Sequence, residues 1–125
     1  MPRQKTLVTA TKYVFLDVVS YSVNRSVEAQ TAIIATLNKI VRKNLAACRV
    51  SGEKCILLPT GDGLCIALLD PADQVDVHLQ VSFSILRLLG TYNRNQKESD
   101  RRFEVRIGIN ESSDNLVTAL TASEI

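Results

Sequence analysis

Two aspartates stand at the edges of apolar runs, and their carboxylates are the groups in this chain best suited to chemistry. Asp17 lies in the run KYVFLDVVSYS and Asp62 in the run ILLPTGDGLCIALL. Such runs predict buried strands, and a carboxylate at the end of a buried strand is costly unless a positive charge meets it. Asp62 stands between Gly61 and Gly63, which predicts a sharp turn at a hairpin tip. Two such carboxylates, 45 positions apart in sequence, could converge on divalent cations.

The composition is that of a soluble globular protein and predicts one domain over residues 1–125. A net charge of +2 is too small to indicate a nucleic-acid or membrane partner, and there is no tryptophan to stack on bases. No apolar run approaches the roughly 20 residues that a membrane span needs. The basic residues of the second half are predicted to be solvated at a helix end and loop: Arg87, Arg94, Lys97, Arg101, Arg102 and Arg106.

The cysteines and the N-terminus predict a cytoplasmic protein. Cys48, Cys55 and Cys65 are odd in number and fit no zinc spacing, so we expect reduced thiols. The N-terminal residues MPRQKTLVTATK contain no apolar stretch of the kind that signal peptides carry.

The first half of the chain predicts a strand, a helix and a hairpin. Residues 1–11 are a polar lead-in, and strand one is expected from Lys12 to Val19. The segment SYSVNRS follows with turn chemistry and leads to an amphipathic helix that ends near Asn44. The candidate N-caps of this helix are Ser22, Asn24 and Ser26. Strand two is then expected over 55–58, a turn over 59–63 and strand three over 64–69.

The second half predicts another helix and another strand. Asp70 and Pro71 resemble a helix start, and the residues after them fit either a strand with period two or a helical face. The apolar run is too long for an ordinary strand, so we predict a helix from Pro71 to about Tyr92. Strand four is expected from Phe103 to Ile109, with NESSDN as a turn after it.

This order, β-α-β-β-α-β, predicts an α+β fold of the ferredoxin-like type, with an antiparallel sheet and two helices on one of its faces. In that topology strands one and three are central neighbours. The end of strand one and the hairpin between strands two and three then come together. Asp17 and Asp62 are therefore expected to be close in space.

Three segments resemble the motifs of class III nucleotidyl cyclases, the catalytic domains of adenylyl and guanylyl cyclases. FLDVVSYS is similar to the first metal motif of that family, and PTGDGLCIAL is similar to the second, a Gly-Asp pair at a hairpin. FEVRIGIN is similar to a strand written in the family as Arg-Ile-Gly-Ile followed by His or Asn. The motifs occur in the family's order and cover a core of about residues 12–110.

The resemblance implies a two-metal reaction. Asp17, Asp62 and the backbone carbonyl of Val18 would hold two Mg²⁺ or Mn²⁺ ions, which grip the triphosphate of ATP or GTP. The 3′-hydroxyl would attack the α-phosphate and release pyrophosphate, giving a cyclic nucleotide. Such sites form across a head-to-tail dimer, so the expected partner is a second copy or another cyclase domain. The implied nucleotide contacts are Ser20, Tyr21, Ser22, Leu58 and Gly61.

The chain departs from the family at places that bear on activity. Leu58 stands where the family commonly has a Lys or Glu that recognises the purine, so the choice of base is open. The turn after strand four reads NESSDN without the family's glycine, and LVTALTASEI contains no counterpart of the family's Asn and Arg that stabilise charge in the transition state.

Three functions follow from these residues. The first is a cyclase with impaired turnover, and the second is a non-catalytic module that binds nucleotide and metal or dimerises in signalling. The third, a diguanylate cyclase, is disfavoured because the hairpin lacks that family's Gly-Gly-Asp/Glu-Glu-Phe signature.

Overall fold

A computed structural model describes residues 6–69 and 74–117 of the chain. Its elements follow the predicted order β-α-β-β-α-β, with short 3-10 helices at Gly52–Lys54 and Ser99–Arg101. The bounds are β1 Thr6–Val18, α1 Val27–Ala47, β2 Cys55–Pro59, β3 Gly63–Leu69, α2 Val77–Asn95 and β4 Val105–Val117. Neither helix is both long and apolar enough to cross a bilayer, within these described ranges.

The four strands form one antiparallel sheet in the order β2-β3-β1-β4. The prediction that strands one and three are central neighbours is confirmed, and the ferredoxin-like α+β fold with it. β1 pairs with β3 through Thr11–Asp17 and with β4 through its whole length. Its last residues are therefore held by ladders on both sides, which fixes the position of Asp17.

Both helices pack on one face of the sheet. The even-numbered residues Val14, Leu16 and Val18 of β1 are buried in a cluster with apolar residues of both helices. Side chains alternate between the two faces of a strand, so Tyr13, Phe15 and Asp17 lie on the opposite face. Phe15 is 46% exposed there. No helix among the residues that the structure describes covers this face, and we call it the open face.

The apolar stripe of α2 settles the ambiguity between strand and helix. Its buried side chains include Val77, Val81, Ile85 and Leu89, which recur every four residues as on one face of a helix. The predicted helix start at Pro71 lies outside the described residues. Positions 74–76 are described and are not helical, so the prediction of a helix over these positions is wrong.

Local hydrogen bonds explain the later start of α2. The amide of Val77 donates to the carbonyl of Gln74 at 3.1 Å, which closes a turn before the helix. The Gln74 side chain donates to the carbonyl of Cys48 at 2.9 Å. Gln74 is thereby anchored to the end of α1.

The helix α1 begins directly after Ser26, one of the three candidate N-caps that the sequence predicted. The hydroxyl of Ser26 accepts a hydrogen bond from the amide of Ala29 at 3.1 Å, so Ser26 is the N-cap. The helix continues to Ala47, three residues beyond the predicted end at Asn44. The side chain of Asn44 is buried on the core-facing side of the helix, and its Nδ2 donates a hydrogen bond to the carbonyl of Ile40 one turn earlier.

The ends of β1 and β4 differ from the prediction in a related way. β1 begins at Thr6, inside the predicted polar lead-in, and β4 includes the predicted turn NESSDN. Thr6 pairs with Val117 at the far end of this ladder, so the two segments satisfy each other's backbone. Polarity alone indicated loops, and the pairing partner that turns both into strands is about 110 residues away in sequence. The strand β4 also starts at Val105, because Phe103 is packed in the core and its amide donates to the Asn93 side chain.

Replacement of Gly63 by alanine is expected to destabilise the fold. A Cβ atom at Gly63 would lie 1.9 Å from the carbonyl oxygen of Leu16, so β1 and β3 would have to move apart. Overpacking against a backbone that cannot yield should cost at least about 2 kcal/mol in the free energy of unfolding, measured by urea denaturation. Gly52→Ala is the matched control, because a Cβ there meets nothing within 4 Å, and its change should stay within about 0.5 kcal/mol. Equal losses in the two variants would contradict this explanation.

Candidate functional site

The end of β1 and the hairpin between β2 and β3 bring Asp17 and Asp62 together. Asp17 pairs with Gly63 in the ladder between β1 and β3. One residue on, the amide of Val18 donates to the carbonyl of Asp62 at 2.9 Å. The amide and carbonyl of one strand residue point to the same side, so the Val18 carbonyl also faces the hairpin. These are the groups that the sequence predicted as metal ligands.

The two glycines beside Asp62 are each required for a different structural reason. Gly61 has φ of +91°, a left-handed conformation that favours glycine, and it makes the sharp turn of the hairpin. Gly63 leaves room for the close approach of β1, where any side chain would collide with the Leu16 carbonyl. The sequence Gly-Asp-Gly thus places the carboxylate of Asp62 at the tip of a tight hairpin and against the end of β1.

The two carboxylates are close enough to form a hydrogen bond with each other. This contact with Asp62 is the main cause that raises the pKa of Asp17 above its ordinary value of 3.8, and partial burial and the negative charge of Asp62 act in the same direction. Two carboxylates in contact cannot both ionise without cost unless a proton or a cation lies between them. The pair therefore favours a proton or a cation placed between its two carboxylates.

Arg106 is a member of this site that the sequence analysis assigned to the solvated basic residues. It lies on β4 and pairs directly with Asp17 of the neighbouring strand β1, so both side chains are on the open face. Its positive charge lowers the pKa of Asp17, which opposes the effect of Asp62. The sequence alone gave no signal for this role of Arg106. It depends on the register between the segments VFLDV and VRIGI, and that register is known only from the fold.

The predicted nucleotide contacts after β1 lie in one tight turn. Ser20, Tyr21 and Ser22 directly follow the end of the strand, within a few residues of Asp17. Ser20 has φ of 51° and Asn24 has φ of 55°, so two residues of this turn adopt the left-handed conformation. The turn leads into the N-terminus of α1, whose backbone amides favour negative charge.

The two predicted contacts on the β2 side are separate from this turn. Leu58 lies on the edge strand β2, is 50% exposed, and pairs with Cys65 of β3. Cys65 in turn pairs with Phe15 of β1, so Leu58 is on the open face as well. Gly61 is exposed in the hairpin turn beside Asp62.

The donor set suits a small hard cation that keeps several other ligands. In the described ranges 6–69 and 74–117 there is no group of three or more His, Cys, Asp or Glu side chains that could enclose a metal ion. Mg²⁺ is commonly held by one or two carboxylates, with waters and substrate phosphates completing the octahedron. Asp17, Asp62 and the Val18 carbonyl fit that pattern, because two carboxylates and one carbonyl leave the other coordination positions to water and phosphate.

Comparison with solved structures gives the fold of this site a precedent. The chain is similar to a bacterial light-regulated adenylyl cyclase, with a TM-score of 0.68 and 13% sequence identity over 94% of this chain and 69% of that one. The fold is cyclase-like. No family model matches the sequence, and no curated protein matches it. At this level of identity the likeness concerns the fold alone, so the chemistry of the site depends on its own residues.

The carboxylate pair makes a testable prediction about pH. The pKa of Asp17 is raised in the folded protein, so the contribution of Asp17 to the stability of the metal-free protein should fall as pH rises from 3.8, the ordinary carboxyl value, through the raised value. Asp62→Asn removes the repulsion and should move the pKa of Asp17 down, measured by NMR titration of the side-chain carboxyl carbons. Glu53→Gln removes an exposed carboxylate elsewhere and should leave the Asp17 titration unchanged. A titration of Asp17 that is the same in wild type and Asp62→Asn would show that the carboxylates are not in contact.

Proposed function

We propose that this chain is a class III nucleotidyl cyclase-like domain that binds ATP or GTP together with two Mg²⁺ or Mn²⁺ ions. Asp17, Asp62 and the Val18 carbonyl are the proposed metal ligands. The observation that carries the proposal is the contact between two carboxylates on the open face of a cyclase-like sheet, with Arg106 beside them. The reaction would convert the nucleoside triphosphate to a 3′,5′-cyclic nucleotide and pyrophosphate.

Bound divalent ions supply charge neutralisation for the triphosphate and lower the pKa of the attacking 3′-hydroxyl. The residues of the chain provide the rest. Asp17, Asp62 and the Val18 carbonyl would hold those ions at the end of β1, and Arg106 offers a guanidinium that suits phosphate oxygens. The turn formed by Ser20, Tyr21 and Ser22 lies next to Asp17 and contributes backbone amides to the phosphates.

The open face supports a dimer as the functional unit. Phe15 and Tyr13 stack there with ring centroids 5.9 Å apart, and both Phe15 and Leu58 are about half exposed. Exposed apolar side chains grouped around a polar site are typical of a surface that a partner covers. We propose a second copy of the chain, or a related cyclase domain, as the partner that closes the site.

The recognition of the base is expected to be weak. Leu58 lies on the open face and offers no hydrogen bond to a purine edge. A site that donates or accepts no hydrogen bond at the base discriminates poorly between analogues that differ in their polar groups. Both ATP and GTP are therefore proposed substrates.

One second function is favoured by a specific residue, namely a non-catalytic domain that binds nucleotide and metal or dimerises in signalling. Leu58 replaces the family's base-recognising residue. A site that does not fix the base holds the nucleotide less firmly in the geometry that the reaction needs. Such a chain would bind without turnover.

Turnover separates these functions. The purified chain is incubated with Mn²⁺ and either ATP or GTP, and cyclic nucleotide and pyrophosphate are measured after chromatographic separation. We expect slow product formation that falls by about 10²-fold or more in Asp17→Asn and Asp62→Asn, because each substitution removes a metal ligand. Glu53→Gln, an exposed carboxylate outside the site, should retain the wild-type rate.

The outcomes point in different directions. Product that is unchanged in Asp17→Asn would show that the metal site is assigned wrongly. Absence of product together with nucleotide binding that depends on Asp62 would favour the non-catalytic domain. Absence of both product and binding, in folded protein, would reject the proposed function.

A further inference from the structure

The side chain of Arg25 joins two segments that are distant in sequence. Its Nη1 donates to the carbonyl of Ser20 at 2.6 Å and to that of Tyr21 at 3.1 Å. Its Nε donates to the carbonyl of Asp100 at 3.0 Å, and its Nη2 donates to that of Arg102 at 3.0 Å. Four carbonyls are thus held by one planar guanidinium, a geometry that no other side chain can reproduce.

These bonds fix the direction in which the turn presents its amides. In a trans peptide the C=O of one residue and the N–H of the next point in opposite directions. Because the carbonyls of Ser20 and Tyr21 point to Arg25, the amides of Tyr21 and Ser22 point away from it. Neither amide donates a hydrogen bond to any residue in the described ranges.

The conformation of the turn directs the amide N–H groups of Tyr21 and Ser22 toward the same side of the backbone. Ser20 has φ of 51°, and the amide of Val23 donates back to the Ser20 carbonyl at 3.1 Å. Successive amides around a residue in the left-handed conformation form a concave donor group that suits an anion. The amides of Tyr21 and Ser22 are therefore available donors held in a fixed orientation.

The second pair of carbonyls that Arg25 contacts belongs to the segment just before β4. The carbonyls of Asp100 and Arg102 lie just before that strand, and the amide of Val19 donates to the carbonyl of Glu104 at 2.9 Å. β4 is also the strand that carries Arg106 beside Asp17. Arg25 thus fixes the turn relative to the two strands on which the carboxylate and the guanidinium of the site stand.

We propose that Arg25 is a positioning residue that orients the amides of Tyr21 and Ser22 toward a phosphate group of the bound nucleotide. This inference rests on the proposed function, since it concerns the same site. The proposed role of Arg25 is in positioning, because four of its five N–H donors are directed to backbone carbonyls. Its effect should appear in nucleotide binding and not in metal binding by the carboxylates.

The test compares Arg25→Gln with two matched controls. Arg42→Gln removes the same charge from an exposed position on α1, and Ser26→Ala removes the N-cap bond at the start of the same helix without touching the Arg25 contacts. Isothermal titration measures the affinity of each protein for Mn²⁺ alone and for Mn²⁺ with an ATP analogue that has a methylene bridge between its α- and β-phosphorus atoms. We expect Arg25→Gln to weaken binding of the analogue by about 10-fold or more. Its affinity for Mn²⁺ alone should remain that of wild type, and both controls should bind the analogue as wild type does.

Chemical rescue provides a readout that a merely structural role would not move. Guanidinium ion at low millimolar concentration can occupy the space left by the arginine side chain, and it should restore part of the analogue affinity in Arg25→Gln only. Arg25→Lys, which keeps the charge and loses the planar fork, should lie between wild type and Arg25→Gln. It also serves as the test variant if the glutamine variant fails to fold.

Each remaining outcome overturns the inference. Analogue binding that is equal in wild type and Arg25→Gln would overturn it while leaving the proposed function intact, provided that binding depends on Asp62. Equal loss of Mn²⁺ and analogue affinity in Arg25→Gln would show that Arg25 only stabilises the fold. Failure of wild type to bind the analogue would reject the proposed function and this inference with it.

Discussion

The contact between two carboxylates at the end of β1 is the constraint on which the account of this chain depends. Asp17 and Asp62 repel each other when both are ionised, as the raised pKa of Asp17 indicates. The chain holds them together through the Val18 amide bond to Asp62 and through the close approach at Gly63. Like charges that backbone geometry keeps in contact are characteristic of functional sites.

The rest of the fold makes this contact rigid. β1 lies between two partner strands, and its helix-facing side chains are buried under α1 and α2. Within residues 6–69 and 74–117 no helix covers the open face, so a ligand can reach Asp17, Asp62 and Arg106 from one side. Arg25 then fixes the turn after β1 against the segment before β4. Strands supply the carboxylates and the positive charge, while the adjoining turn supplies oriented amides.

The sequence predicted the parts of the structure that local patterns determine. Strand alternation, the period of α2 and the Gly-Asp-Gly hairpin were enough to place Asp17 near Asp62. Features that depend on pairing between distant segments were missed. The polar ends of β1 and β4 become strands only because they pair with each other, and Arg106 joins the site only through its register with Asp17. The sequence analysis did not single out Arg25, because its partners at 100–102 are brought near only by the fold.

The central claim is that Asp17 and Asp62 together bind a divalent cation, and a crystal structure with Mn²⁺ and a non-reactive ATP analogue would test it most directly. Anomalous scattering at the manganese edge locates the ion independently of the protein density. We expect a peak within about 2.0–2.4 Å of carboxylate oxygens from both aspartates, near the Val18 carbonyl and close to phosphate oxygens. A well-ordered analogue with no anomalous peak at this pair, or with its manganese bound elsewhere, would contradict the account.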